Sequence, residues 1–141
     1  GRIASVITAV PGSSQYFKGG VIAYANEVKI NLLGVDAQII EEKTPVCEEV
    51  AVQMAQGARK TFGTDYSVSV TGFAGPGGHD SGKNSVLVGT IWIAVASSTN
   101  VKTVMLEEDN GRDKNLASAT STAIHLLLEL LKEELGAGEE A

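Results

Sequence analysis

From Val86 to Ala96 the chain is almost continuously apolar, which is the pattern of a strand covered on both faces by helices and so of a central strand. Upstream, Tyr66 to Val70 reads as another strand. Between the two lie a glycine-rich loop, Thr71-Gly72-Phe73-Ala74-Gly75-Pro76-Gly77-Gly78, and a polar bridge, His79 to Ser85. Five of the eight loop residues are glycine or alanine, so backbone N–H groups there can come close to a ligand or to another loop. The loop is the first place to look for a site, and its polar continuation, His79 to Asn84, is expected to be mobile.

Helical periodicity and its punctuation give the rest. Ile3, Val6, Ile7 and Val10 mark a helix already in progress at Gly1 and ended by Pro11-Gly12, with Ser13 to Phe17 following as a tight turn or short helical segment. Val21 to Ala25 reads as a short strand, and Asn26 as the N-cap of a helix from Glu27 to Leu33 closed by Gly34. Asp36 caps a short turn or helix, Ala37 to Glu42. Val50, Ala51, Met54, Ala55, Ala58 and Phe62 make one face of a helix starting at Glu48, with acidic residues at its start and Arg59 and Lys60 at its end. A strand from Lys102 to Glu107 follows the central one after so short a link that the two must pair antiparallel. Leu116, Ala119, Ala123, Leu126, Leu127, Leu130 and Leu131 give the buried face of a long last helix, stopped by Gly136 before a frayed tail. The expected class is α/β: a three-layer α/β/α sandwich around a mixed, mainly parallel sheet.

Composition narrows the function classes. A chain of 141 residues, 43% hydrophobic and 20% charged, is expected to form a single domain with a real core. Its net charge of −6 argues against non-specific nucleic-acid binding, which needs clustered cations. The lone Cys47 excludes an intrachain disulfide and a cysteine-rich zinc site, and no apolar run is long enough to span a bilayer as a helix. A cytoplasmic location is expected, with no membrane or nucleic-acid partner. His79 and His125 stand alone, without metal-ligand spacing, so no metal is expected. The loop lacks the Gly-Lys-Ser/Thr ending of a P-loop and the spacing of a dinucleotide fingerprint, and no Gly-x-Ser-x-Gly elbow occurs.

Three residue types keep chemical promise. Ser13 and Ser14 follow a Pro-Gly break, where the commoner job of serine is capping. Lys29 falls near the start of its predicted helix, where the positive end of the helix dipole disfavours the charged amine; the alternative is a lysine that reaches solvent and pairs with a carboxylate. Arg112, at the amino end of the last helix, can form an anion pocket, or can pair with Asp109 or Asp113.

Several stretches then combine: Pro11-Gly12-Ser13-Ser14, Gly19 to Lys29, Leu33-Gly34-Val35, Glu48-Glu49-Val50-Ala51, Thr71 to Gly78 and Val88 to Ala94. In order and spacing, over nearly the whole chain, they resemble the CinA carboxy-terminal domain family. That family includes bacterial nicotinamide-nucleotide amidohydrolases, which convert nicotinamide mononucleotide to nicotinate mononucleotide and ammonia in pyridine-nucleotide recycling and are described as using a Ser/Lys dyad. The resemblance implies Ser14 as nucleophile, Lys29 as base and Arg112 as a residue that fixes substrate or offsets developing charge. It also implies substrate contacts from Tyr24, Asn26, Thr71, Gly72, Ala74 and Gly75, with no cofactor and a small nucleotide as substrate. This chemistry suits the residues, since a serine hydroxyl needs a neighbouring base and a lysine serves as one only with a depressed pKa.

The chain also departs from the family. Members carry a first helix and strand and a Ser-Cys-Thr-Gly-Gly turn, of which Gly1 matches the last glycine, so residues 1–141 read as one amidohydrolase-like domain without that beginning. Ala25 stands where serine is usual, Cys47 where a serine caps the helix, and the bridge lacks a Glu-Lys-Pro ending. A sheet edge left unpaired favours a homo-oligomer. The competing expectation is a catalytically silent nucleotide-binding or interaction module of a larger competence- or damage-related protein.

Overall fold

The structure, a computed structural model, describes residues 1–76, 79–80 and 85–136. In chain order these form helix α1 (Arg2–Thr8), a turn of 3-10 helix (Ser13–Gln15), α2 (Asn26–Leu33), α3 (Ala37–Lys43), α4 (Glu48–Phe62), strands β1 (Ser67–Gly72), β2 (His79–Asp80), β3 (Ser85–Val86), β4 (Ile91–Ala96) and β5 (Val101–Leu106), and α5 (Arg112–Leu135). β4 lies between β1 and β5, with Ile93 opposite Val70 on one side and Val104 on the other. β2 and β3 pair apart from this sheet.

Because successive strand side chains point to opposite faces, β4 packs against two helices at once. Ile91 and Ile93 meet Ala119 and Ala123 of α5, whereas Ala94 and Ala96 meet Ala51 and Ala55 of α4. This gives the expected α/β/α layering with a buried central strand. Full burial of Ile93 alone stabilises by roughly 1.5–3 kcal/mol. Alanines on both sides of the α4 interface bring helix and sheet close together. β1 uses that closeness: Ser67 and Ser69 donate to the carbonyls of Ala55 and Ala51 at 2.5 and 2.6 Å. On its other side α4 meets α2, where a Cβ on Gly57 would lie 1.8 Å from the Leu33 carbonyl oxygen, so only glycine allows the approach.

Several sequence expectations need correction. The sheet is not mixed and mainly parallel: among the described residues every strand pair is antiparallel, because β1 reaches β4 through the glycine loop and the β2–β3 pair rather than through a helix. The central strand starts at Ile91 rather than Val86, since Leu87 to Thr90 is a turn closed by Thr90 N–H to the Leu87 carbonyl, with Gly89 at φ 95°. Val21 to Ala25 is no strand. It alternates as one, Val21 and Ala23 packing on the Leu33, Val50 and Met54 cluster while Ile22 and Tyr24 stay exposed, but no ladder bonds hold it. The N-cap of α2 is Ala25, without a side-chain bond, so Asn26 is the first helical residue and Lys29 the fourth. The Asp36 cap holds, its carboxylate accepting from the Gln38 N–H at 2.9 Å. The expected mobility of His79 to Asn84 concerns a stretch of which residues 81–84 lie outside the described residues.

Candidate functional site

Lys29 is the most unusual ionisable group in the fold. It is 7% exposed, on the inner side of α2 beside Leu33. Its Nζ donates to the Ala23 carbonyl at 2.7 Å, and among the described residues it forms no ion pair. Burial holds its pKa below the ordinary 10.5, because an ammonium loses more hydration than a neutral amine. The bond to Ala23 uses an N–H and not the lone pair, so the neutral amine remains able to accept a proton.

Ser14 is exposed in the 3-10 turn, and no hydrogen bond joins it to Lys29. A methyl group placed on Gly20 would touch Ala4, and one placed on Gly1 would touch Ile22, so residues 20–22 run back along α1. Ile22 thus lies near the Gly1 end of α1, and Phe17 as well as Ala4 lies near Gly20.

The same end of α1 leads to the glycine loop. Arg2 pairs with Asp113 at 2.8 Å, and next to it Arg112 donates from Nη1 to the Gly75 carbonyl at 2.7 Å. Neither expected partner, Asp109 or Asp113, takes the Arg112 guanidinium. Asp109 instead accepts from Asn115 Nδ2 at 3.0 Å and from the Gly111 N–H at 3.1 Å, and these bonds hold its carboxyl below the ordinary range. Asn115, 3% exposed, also donates to the Ala74 carbonyl at 2.9 Å and accepts the Asn110 N–H at 2.8 Å. Two neighbouring loop carbonyls are thereby fastened to the first turn of α5. Gly75 itself has φ 94°, and a Cβ on it would lie 2.5 Å from Val88 Cγ1. That position needs glycine on both counts.

The other expected contacts divide. Ala74 and Gly75 are buried in the loop beside Arg112. Gly72 ends β1, where a Cβ would lie 2.6 Å from Ile91 Cγ1. Thr71 is buried, and its hydroxyl is spent on the Pro45 carbonyl at 2.8 Å, anchoring the loop to the start of α4. Tyr24 is 86% exposed and Asn26 is exposed, and neither side chain bonds to another described residue. The helical pattern starts the buried face of α5 at Leu116 and so leaves Asn115 out of the site. Its signal was available: it stands four and eight residues before Ala119 and Ala123, a polar residue on an apolar stripe. No helix among the described residues is long and apolar enough to cross a membrane.

Comparison with known proteins follows the same outline. The chain is 44% identical over 133 residues to a putative competence-damage inducible protein of Halothermothrix orenii, covering 94% of this chain and 32% of that protein. It is 40% identical over 135 residues to a CinA-like protein of Rippkaea orientalis, covering 96% and 32%. The chain thus spans about a third of the length of these relatives. Among solved structures, a CinA superfamily protein from Escherichia coli matches with TM-score 0.87 at 30% identity, over 93% of this chain and 74% of that one. The competence/damage inducible protein CihA from Agrobacterium tumefaciens matches with TM-score 0.85 at 32% identity, over 92% and 78%. The family profile of the CinA C-terminal domain covers residues 1–131, and the chain belongs to that family.

Proposed function

We propose that this domain hydrolyses the carboxamide of nicotinamide mononucleotide, giving nicotinate mononucleotide and ammonia, with Lys29 as the proton acceptor. The observation that carries the reading is the buried Lys29 amine, bonded to one carbonyl and, among the described residues, to no carboxylate. A lysine kept only for its charge would be solvated or paired. In the reaction a serine oxygen bonds to the carboxamide carbon while its proton passes to Lys29. The tetrahedral oxyanion collapses with cleavage of the C–N bond, Lys29 protonates the departing nitrogen, and water hydrolyses the acyl ester. Arg112, which spends one of its five N–H donors on Gly75, has others for the nucleotide. No cofactor enters the scheme.

Ser14 is the nucleophile in this proposal. Ammonia release from nicotinamide mononucleotide by the parent chain and by Ser14→Ala tests both parts. Turnover that falls by roughly two to four decades in Ser14→Ala supports the dyad. Unchanged turnover transfers the nucleophile's role to another group while keeping Lys29 as base. Binding without ammonia release replaces the enzyme by the alternative, a silent nucleotide-binding module within a longer competence- or damage-related protein. Self-association in a cytoplasmic setting belongs to the same proposal. Ile22 and Tyr24, 71% and 86% exposed, are apolar surface for it, and a monomer mass by light scattering would remove that part.

A further inference from the structure

We propose that Asn115 is a positioning residue for the glycine loop: by fastening the Ala74 carbonyl it turns the Gly75 N–H to the opposite side and holds it as a donor to the oxygen of the bound carboxamide. The inference rests on the amide-hydrolysis reading and deepens it.

The geometry is that of one peptide unit. The Ala74–Gly75 bond is trans, the only cis bond among the described residues being Gly75–Pro76, so the Ala74 C=O and the Gly75 N–H point in opposite directions. Fixing the carbonyl on Asn115 fixes the N–H facing away from α5. Among the described residues neither the Ala74 nor the Gly75 N–H finds an acceptor, although both residues are buried. A buried backbone N–H without a partner is costly and uncommon, which makes it a candidate for a ligand's oxygen.

Asn115 is itself held so that it cannot turn over. Its Oδ1 faces the Asn110 N–H, which can only donate, and its Nδ2 faces the Ala74 carbonyl and the Asp109 carboxylate, which can only accept. A flipped amide would oppose all three. Arg112 adds a second tie on the next carbonyl, that of Gly75. Pro76 then follows, and it has no N–H of its own to offer. The loop therefore presents the Gly75 N–H from a carbonyl backbone pinned at two successive positions, which suits a donor that must be in place before charge develops.

Two variants test this. Asn115→Ser is too short to reach Ala74, and Asn115→Asp keeps the volume while replacing the donor by an acceptor that repels both the Ala74 carbonyl and Asp109. The second carries the test if the first does not fold. Per folded molecule, kcat for nicotinamide mononucleotide is expected to fall about tenfold to hundredfold, with KM within about threefold. A structural role alone would lower the melting temperature and leave kcat per folded molecule unchanged. Amide NMR supplies a readout free of turnover, in which the Gly75 resonance of the unliganded protein should shift and exchange faster in both variants. Titrating nicotinamide mononucleotide into Lys29→Met should move the Gly75 amide, and adding Asn115→Asp should abolish that movement while binding persists. An unaltered Gly75 resonance together with unaltered kcat overturns the proposal. If the nucleotide does not bind the parent at all, the hydrolysis reading fails, and the unliganded spectra still decide whether Asn115 orients the loop.

Discussion

At its C-terminal end α5 presents Glu134, whose carboxylate accepts from Tyr66 Oη at 3.1 Å, Ser97 Oγ at 2.6 Å and Asn100 Nδ2 at 2.6 Å. At its N-terminal end the same helix presents Arg112 and Asn115, which donate to the Gly75 and Ala74 carbonyls. Both ends use polar side chains to tie the helix to the sheet. They differ in what is left over. Three donors converge on Glu134 and close the β4–β5 turn around it, whereas Arg112 and Asn115 hold two loop carbonyls, and the Ala74 and Gly75 N–H groups find no acceptor among the described residues. An acceptor that gathers donors makes a latch, whereas donors that take carbonyls turn the following peptide N–H to the opposite side.

The largest expected effect is at the buried amine of α2. Lys29→Met keeps an unbranched stem and removes the proton acceptor, so turnover should fall by roughly two to four decades while the fold survives. The pH dependence sharpens the test. In the parent, kcat/KM should rise with pH through a value below 10.5, and this limb should vanish in the variant. Stability has a matching sign. Because the folded-state pKa is lowered, the folded protein binds fewer protons than the unfolded chain between that value and the ordinary one. The charging penalty is therefore full below the lowered pKa and is lost as pH rises toward 10.5. The parent should gain on Lys29→Met over that window by about 1.4 kcal/mol per unit of depression, measured by urea melts across pH.

Next comes Arg112→Ala, expected to raise KM roughly tenfold with kcat within about threefold, because a grip on the nucleotide exists before and during the chemistry. A fall in kcat with KM unchanged would instead make the guanidinium a group that meets developing charge. Smallest on activity is Glu134→Ala, which should lower the melting temperature by a few degrees and leave turnover within about twofold. Its carboxyl is held below the ordinary range first by Ser97 and then by Asn100, so its contribution is present above the ordinary value and is lost as pH falls through the lowered one. The deficit of the variant should shrink accordingly in acid. Turnover that collapses in Glu134→Ala would erase the contrast between the two ends.

Local pattern was enough for α4, α5, β5 and the antiparallel pairing of β4 with β5, because each depends on the fixed direction of successive side chains or on a link too short for a crossover. The order of motifs also sufficed for family membership. What the pattern could not carry was anything settled between distant segments. Val21 to Ala25 alternates like a strand, yet whether an extended segment joins a ladder depends on what lies beside it. Ser67 and Ser69 read as polar positions, yet they are turned onto carbonyls of α4 that have a second lone pair to give. Ser14 and Lys29 stand fifteen residues apart, and what each side chain bonds to depends on how the chain between them is folded, the Lys29 amine taking the Ala23 carbonyl. Asn115 was visible only as a flaw in an apolar stripe until the fold brought Ala74, Asp109 and Asn110 around it. Periodicity is written into each short stretch by backbone geometry, whereas a hydrogen bond across 41 residues exists only once packing has fixed both partners.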